Sequence, residues 1–273
     1  MIYLGPAGYI ADGLLESLEE VEKNGLNAQE LEFVYNVNVK EDAAKLASES
    51  AKKKNIILSA HGSYYINLNS EDKSKIEASK KRIMDACKIA DVFSSTRPAH
   101  IVFHAGFYGK VSREDTYKTI KKEMTELQEK IQKNKLRCVL APETTGKESQ
   151  FGNIDELVRL SNETGCRICI DFAHIYARNI GKLDLEYVFR KIHELKFLKD
   201  DPFIHCHFTG IEFGPKGEKN HINLTEEFFM PLARKLKEES DDRKKNKIDF
   251  CIISESPITY KDSLLMRRIL EKI

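Results

Sequence analysis

No apolar run in this 273-residue chain approaches the roughly 20 residues needed to cross a bilayer. No basic segment followed by an apolar stretch opens it either. MIYLGPAG reads as a first strand and turn rather than a leader, so a soluble, cytoplasmic protein is expected. Charge of one sign is missing too: 44 Lys+Arg against 43 Asp+Glu leave a formal net charge of +1. The total therefore gives no argument for nucleic-acid binding, although a local basic groove fits inside a neutral total. No serine sits in a GxSxG elbow, there is no P-loop, and the opening GPAG is too short for a dinucleotide fingerprint. Of the six cysteines, Cys166 and Cys169 form a CxxC, but no second pair completes a four-thiolate site. Strand alternation along RICID points these two to opposite sides. The cysteines are expected to be buried free thiols, which suits a reducing compartment.

What the chain has is alternation. Short runs of Val, Ile, Leu, Phe and Cys at 2–5, 30–35, 56–60, 100–104, 137–141, 167–171, 203–207 and 249–254 read as eight strands buried on both faces. Charged amphipathic runs at 12–23, 40–54, 74–93, 113–133, 154–164, 185–198, 225–239 and 263–272 read as the helices between them. No low-complexity linker interrupts the pattern, so one domain over 1–273 is expected. Eight regular βα units favour an α/β (β/α)8 barrel over a doubly wound sheet. The longest non-periodic stretch, 208–223, follows the seventh strand and reads as a glycine-rich loop on the catalytic face. The charged run 239–245 reads as a solvated turn before the last strand.

The polar residues then fall into place. His61 closes IILSAH, His104 closes IVFH, Glu143 closes CVLAPE, Asp171 and His174 close ICIDFAH, His207 ends FIHCH and Glu255 follows CIIS. Glu218 and His221 lie in the long loop. A barrel gathers its chemistry at the C-terminal ends of its strands. A lone histidine there is usually a hydrogen-bonded structural residue, and a lone carboxylate often caps a helix or pairs with a lysine. So many together point to a metal-dependent enzyme with more than one ion. His61 and His104, on neighbouring strands, would share one ion with Glu143 as a bridge. Asp171, His207 and Glu255 would complete a second, and His174, Glu218 and His221 would surround a third. His205 shares a strand face with His207 but lies further from the active end. His100 and His193 read as structural or surface residues.

These segments carry a likeness. YLGPAG, HGSYYINL, VFHAG, LAPETTGK, CIDFAHIYA, HCHFTG and ISESP, in this order, resemble the endonuclease IV family of apurinic/apyrimidinic endonucleases, within the xylose-isomerase-like TIM barrels. The likeness spans nearly the whole chain. It implies Zn2+ ions held by His61, His104, Glu143, Asp171, His174, His207 and Glu255, with Glu143 and Glu255 serving catalysis. The family's third ion also takes an Asp-x-His pair. Here GEKNH puts two residues between Glu218 and His221, so two firm ions and a weaker third are expected, with Mn2+ an option at the carboxylate-rich second site.

The resemblance also implies cleavage of duplex DNA 5′ to abasic sites by a monomer, with Tyr64 near the DNA. Tyr108, Lys110, Arg113, Lys147, Arg178, Lys216 and Lys219 are the candidates for a positive rim. Two features depart from the family's well-studied bacterial members. The opening GPAG replaces GAHVS, and YNVNVKEDAAK after the second strand lacks their arginine-rich character. A sugar isomerase or epimerase of the same superfamily is the alternative, and a noncatalytic DNA-binding or metal-storage barrel is a third reading.

Overall fold

A computed structural model describes residues 1–241, 243, 244 and 247–273. Asp242 and Lys245 of the charged 239–245 run lie outside the described residues. Strands β1 (Ile2–Pro6), β2 (Ala28–Glu32), β3 (Ile57–His61), β4 (Ala99–Phe103), β5 (Cys138–Pro142), β6 (Cys169–Asp171) and β7 (Phe203–His207) alternate with helices. The helices are α1 (Leu14–Lys23), α2 (Glu41–Lys54), α3 (Lys73–Phe93), α4 (Arg113–Lys133), α5 (Ile154–Thr164), α6 (Phe172–Arg178) and α7 (Leu185–His193). The hairpin β8 (Gly210–Gly214) and β9 (Gly217–Ile222) follows, then α8 (Glu226–Glu239), β10 (Asp249–Ser254) and α9 (Tyr260–Lys272).

Eight of these strands are parallel and close a (β/α)8 barrel, as expected from the alternation. They form two four-stranded sheets, β2-β3-β4-β5 and β1-β10-β7-β6. Parallel bridges join the sheets at two seams, Ala7 to Glu30 and Glu143 to Cys169. The larger apolar core lies between barrel and helices, where Leu18, Ile83, Met124, Leu157, Phe229 and Met266 meet strand residues such as Leu58 and Ile101. A smaller cluster of Ala28, Ile57, Phe203, Cys251 and Ile253 is separate from it. All six cysteines are buried and free. No helix among the described residues is long and apolar enough to cross a membrane.

Helix ends follow local chemistry. Asn153 and Glu156 form a reciprocal capping box at the start of α5, which ends at Gly165 in the left-handed conformation. Ser112 caps α4 by accepting from Asp115 N.

Three expectations shift. The second strand is shifted toward the N-terminus: β2 begins at Ala28 and stops at Glu32, so only 30–32 of the expected 30–35 lie in it, and Tyr35 is exposed beyond it. The expected helix 185–198 breaks after His193 and resumes as a 3-10 turn at Lys196–Lys199. The glycine-rich loop 208–223 is an ordered hairpin.

The β1–β2 seam sets a strict size limit. A Cβ on Gly5 would sit 1.7 Å from Ala28 O, and β1 is pinned there by Leu4 N donating to Asn27 Oδ1 at 2.8 Å. Gly5→Ala should therefore lower unfolding free energy by at least about 2 kcal/mol, the range for a forced backbone clash. Urea denaturation measures this, and a change within about 0.5 kcal/mol, the usual scatter of surface substitutions, would contradict the seam geometry.

Candidate metal centre

The strand ends deliver their polar side chains to one mouth. Glu143 is 1% exposed and sits at the β5–β6 seam, where its N–H donates to Phe103 O at 3.0 Å. Its two oxygens face different neighbours. Oε2 lies 3.2 Å from His61 Nε2 and 2.9 Å from His104 Nε2. Oε1 lies 3.1 Å from His207 Nδ1 and 3.3 Å from His174 Nδ1. This division is what a carboxylate bridging two ions requires.

Among the described residues five groups bring their ligand atoms within 4.8 Å of one another; three of them gather the strand-end and hairpin donors, namely His61, His104 and Glu143; Glu143, Asp171, His207 and Glu255; and His174, Glu218 and His221, while Cys169, His205 and His207 and Glu30, Glu32 and Glu255 form the other two. The fit to metal ions rests on how the side chains are turned. His61 Nδ1 lies 2.8 Å from Gly62 O, His174 Nδ1 3.0 Å from Thr144 O, and His221 Nδ1 3.1 Å from Glu255 O. A carbonyl only accepts, so each of these nitrogens is the donor, and each Nε2 is left facing the cluster. His174 Nε2 and His221 Nε2 approach to 3.5 Å, and Glu218 Oε2 lies 3.6 Å from His174 Nε2.

Asp171 divides its work as well. Oδ1 caps α6 by accepting from His174 N at 2.7 Å. Oδ2 is buried and has no hydrogen-bond donor: His174 Nδ1 is 3.3 Å away but is directed at Thr144 O. A buried carboxylate oxygen without a donor is costly, and a cation removes the cost. The histidine-rich first and third sets suit zinc, whereas the second, with three carboxylates and one imidazole, also suits manganese.

The third set shows how the unusual GEKNH spacing is absorbed. Residues three apart on a flat strand face opposite sides. In the hairpin, Glu212 pairs with Asn220 but Phe213 pairs with Glu218, so Lys219 is a bulge. The bulge brings Glu218 and His221 to the same side. The hairpin is anchored by Glu218 N donating to Gly146 O at 2.9 Å.

Charge in the centre is strongly coupled. Burial raises the Glu143 carboxyl, but His207 and His104 outweigh it and hold it well below the usual range. Burial likewise opposes ionisation of Glu255, yet His207 brings it down to about 2. Burial lowers His61, while the hydrogen bond to Glu143 and the charges of Glu32 and Glu143 push it up to about 10. Asp171 is raised by burial. Ions entering here displace protons from imidazole, so metal affinity falls as pH falls.

Several side chains fall elsewhere than expected. Tyr108 is buried, and its hydroxyl donates to Glu156. Arg178 donates to Lys147 O, Gln150 O at 3.0 Å and Thr145 Oγ1 at 2.9 Å. Both are spent on holding the β5–α5 loop and are not presented to a ligand. Lys110, Lys216 and Lys219 are exposed, as is Tyr64, whose ring centroid lies 6.1 Å from that of His61. Arg113 is exposed and paired with Glu148 at 3.1 Å, and Lys147 lines a cleft beside His61 and His104. His100 takes the structural one of its two expected roles: it is buried and stacks on His205 at 5.3 Å. His193 lies 3.0 Å from Glu239 on the outer surface.

The cleft over His61, His104, His174, Glu218, His221 and Glu255 has a volume of about 280 Å3, and an adjoining one of about 240 Å3 reaches Phe107 and Lys147. A larger groove of about 590 Å3 lies between Phe33 and α3, but none of the three donor sets lines it, so the chemistry belongs to the smaller clefts.

Sequence reading missed Glu30, Glu32, Tyr35 and Tyr65. Glu30 and Glu32 were hidden by the misplaced second strand. Tyr35 and Tyr65 are 63% and 60% exposed with ring centroids 5.9 Å apart, beside Tyr64. Tyr65 stands next to Tyr64 in HGSYYINL, a signal that was present in the sequence.

Glu32 lies at the mouth among Glu30 and Glu255, with Oε1 buried and lacking a hydrogen-bond partner. Burial pushes its carboxyl up to about 8. A carboxyl whose pKa is raised by folding costs stability as pH rises from its unfolded value, near 4.5, to its folded value. Metal-free Glu32→Gln should therefore gain stability over the parent across that window and match it below pH 4.5. Melting temperatures recorded between pH 4 and 9 test this, and a difference that does not change with pH would refute it.

A family model described as a xylose isomerase-like TIM barrel matches residues 18–240. An uncharacterized protein of Methanocaldococcus jannaschii is 36% identical over 283 aligned positions, covering 98% of this chain and 96% of that protein. Endonuclease IV from Thermus thermophilus superposes with a TM-score of 0.72 at 20% identity, covering 98% of this chain and 99% of its own. The 3-keto-D-glucoside 4-epimerase YcjR from E. coli superposes with a TM-score of 0.67 at 13% identity over the full length of both. Several sugar 3-epimerases align with TM-scores from 0.62 to 0.67. These structural likenesses, at such low identities, carry the fold alone.

Proposed function

The chain belongs to the xylose isomerase-like TIM-barrel family, and from that premise we propose that it is a zinc-dependent phosphodiesterase that cuts duplex DNA on the 5′ side of abasic sites. The observation that carries this reading is the division of Glu143 between two donor sets, with a third set against it. Removing and returning a proton at a sugar carbon can be served by one Lewis-acidic ion. Clusters sharing a carboxylate suit in-line displacement at phosphorus, where attacking and leaving oxygens both need charge neutralised. Bound zinc would supply that neutralisation and an acidified water.

The protein's own groups then do the following. Glu143 holds the first two sets at a fixed spacing. Glu255, 16% exposed at the mouth, accepts a hydrogen bond from the attacking water and orients it. His174, Glu218 and His221 face the leaving 3′-oxygen. Tyr64 lines the cleft, and the exposed Tyr35–Tyr65 pair, adjoining it along the chain, offers further rings suited to stacking on bases or filling the gap at a lost base. Lys110, Lys147, Lys216 and Lys219 supply positive charge along the loops. The products would be a 3′-hydroxyl and a 5′-deoxyribose phosphate.

A second reading, sugar epimerisation, has two observations in its favour. The clefts are of monosaccharide size, and sugar epimerases share the fold. The set Glu143, Asp171, His207 and Glu255 alone would serve such an enzyme with one ion.

Paired assays separate the two. The zinc-loaded protein should nick a duplex carrying one tetrahydrofuran abasic analogue, lose this on exhaustive chelation, and leave ketoses unchanged. Sugar exchange without nicking would reverse the assignment. Glu143→Gln keeps the shape but removes the charge, and should cut nicking by at least about 100-fold, the scale of a lost key electrostatic group. Normal turnover at normal zinc content in that variant would sink the proposed site.

The tyrosine pair makes a separate prediction. Tyr35→Ala with Tyr65→Ala should weaken binding of abasic duplex by at least about 10-fold, given about 1–3 kcal/mol per stacked base, while zinc content stays unchanged. Fluorescence anisotropy measures it, and undiminished affinity would remove the pair from the DNA-binding surface.

A further inference from the structure

The floor of the centre is built differently from its rim. His61, His174 and His221 are each turned by a backbone carbonyl, which no substitution removes. His207 is turned by a side chain. Its Nδ1 faces Glu143 Oε1 at 3.1 Å and Glu255 Oε1 at 3.5 Å, while Nε2 lies 2.9 Å from Glu30 Oε1. That last contact is short but not aligned as a hydrogen bond, and neither atom has a hydrogen-bond partner, although the Cys169 thiol also lies close to the His207 ring. A small rotation of the His207 ring completes it.

Glu30 is itself held through its other carboxylate oxygen and its backbone. It is fully buried, and its Oε2 accepts from Ser59 Oγ at 2.8 Å and lies 2.9 Å from His205 Nε2. Its backbone closes the β1–β2 seam, with the bridge to Ala7 and with Gly8 N donating to Glu30 O at 2.9 Å. His205, which shares Glu30, is stacked on His100 with the rings 15° apart. A carboxylate clamped this firmly cannot follow a moving histidine, so the histidine must follow it.

We propose that Glu30 is the positioning residue of the second donor set: it holds His207 as the Nε2–H tautomer, so that Nδ1 carries the lone pair toward the ion shared with Glu143. A carboxylate behind a ligating imidazole raises its basicity and fixes its ring plane, and losing such a partner typically weakens metal binding about 10- to 100-fold. The inference rests on His207 being a metal ligand and is independent of the substrate.

Two measurements test it. The first uses the intact zinc-loaded protein, labelled with 15N-histidine, with the His207 signals assigned by comparison with His207→Asn. Nε2 should carry the proton and Nδ1 should show the shift of a coordinated nitrogen; a proton on Nδ1 overturns the proposal. The second titrates zinc against a chromophoric chelator in the parent and in Glu30→Gln. The variant should bind one zinc about 10- to 100-fold more weakly, with the remaining zinc held as in the parent. Unchanged affinity for every zinc overturns the proposal. If Glu30→Gln fails to fold, the tautomer in the parent protein decides alone. A parent that takes up no zinc at all would instead sink the metal reading itself, whereas a zinc-binding parent that never nicks DNA would leave the role of Glu30 standing.

Discussion

A carboxylate at 1% exposure, ringed by imidazoles, is the constraint on which the rest of this barrel depends. Burying Glu143 without partners would cost several kcal/mol. Four histidines face it, from β3, from the ends of β4 and β7, and from α6. Those histidines can converge only if the two four-stranded sheets meet at the seam where Glu143 bridges to Cys169. Closing the barrel and assembling the centre are therefore one event. The same carboxylate that makes closure expensive makes it useful once cations and imidazoles surround it.

The barrel interior carries an unusual amount of buried polarity below that ring. Branched apolar side chains commonly fill such interiors. Here Glu30, Ser59, His100 and His205 are all buried within it, and burial keeps His205 and His100 toward their neutral forms while the neighbouring histidines hold Glu30 ionised. A network of this kind is tolerated when nearly every member has a partner. It gives up apolar stabilisation in return for a rigid floor under His207.

Above the strands, precision comes from short local devices. Asp171 ends β6 and caps α6 with one oxygen, which fixes His174 three residues later. The Lys219 bulge turns Glu218 and His221 to the same side of a hairpin pinned to the β5–α5 loop. Arg178 spends its donors on that loop's carbonyls. An arginine within reach of the mouth thus serves the scaffold.

The sequence by itself determined the eightfold alternation and the identity of most donors, because strand runs and helix periods are local and a barrel must bring its strand ends together. The stretches Phe203–His207 and Asp249–Ser254 were legible to the residue, since apolar runs bounded by turn chemistry leave little freedom. The second strand was legible only in part: FVY is more strand-like than AQEL, and only the packing of Gln29 against Ser17 and of Glu30 against His205 makes those polar residues the buried ones. The hairpin escaped notice because its pairing is held by a bulge and by contacts to another loop. Tyr108 and Arg178 looked available because sequence gives residue type but not what a side chain already holds. Which nitrogen of each histidine faces the centre, which oxygen of Asp171 is spent and that Glu30 stands behind His207 were decided only by tertiary structure. These are matters of orientation between residues up to 177 positions apart, and no local pattern encodes them.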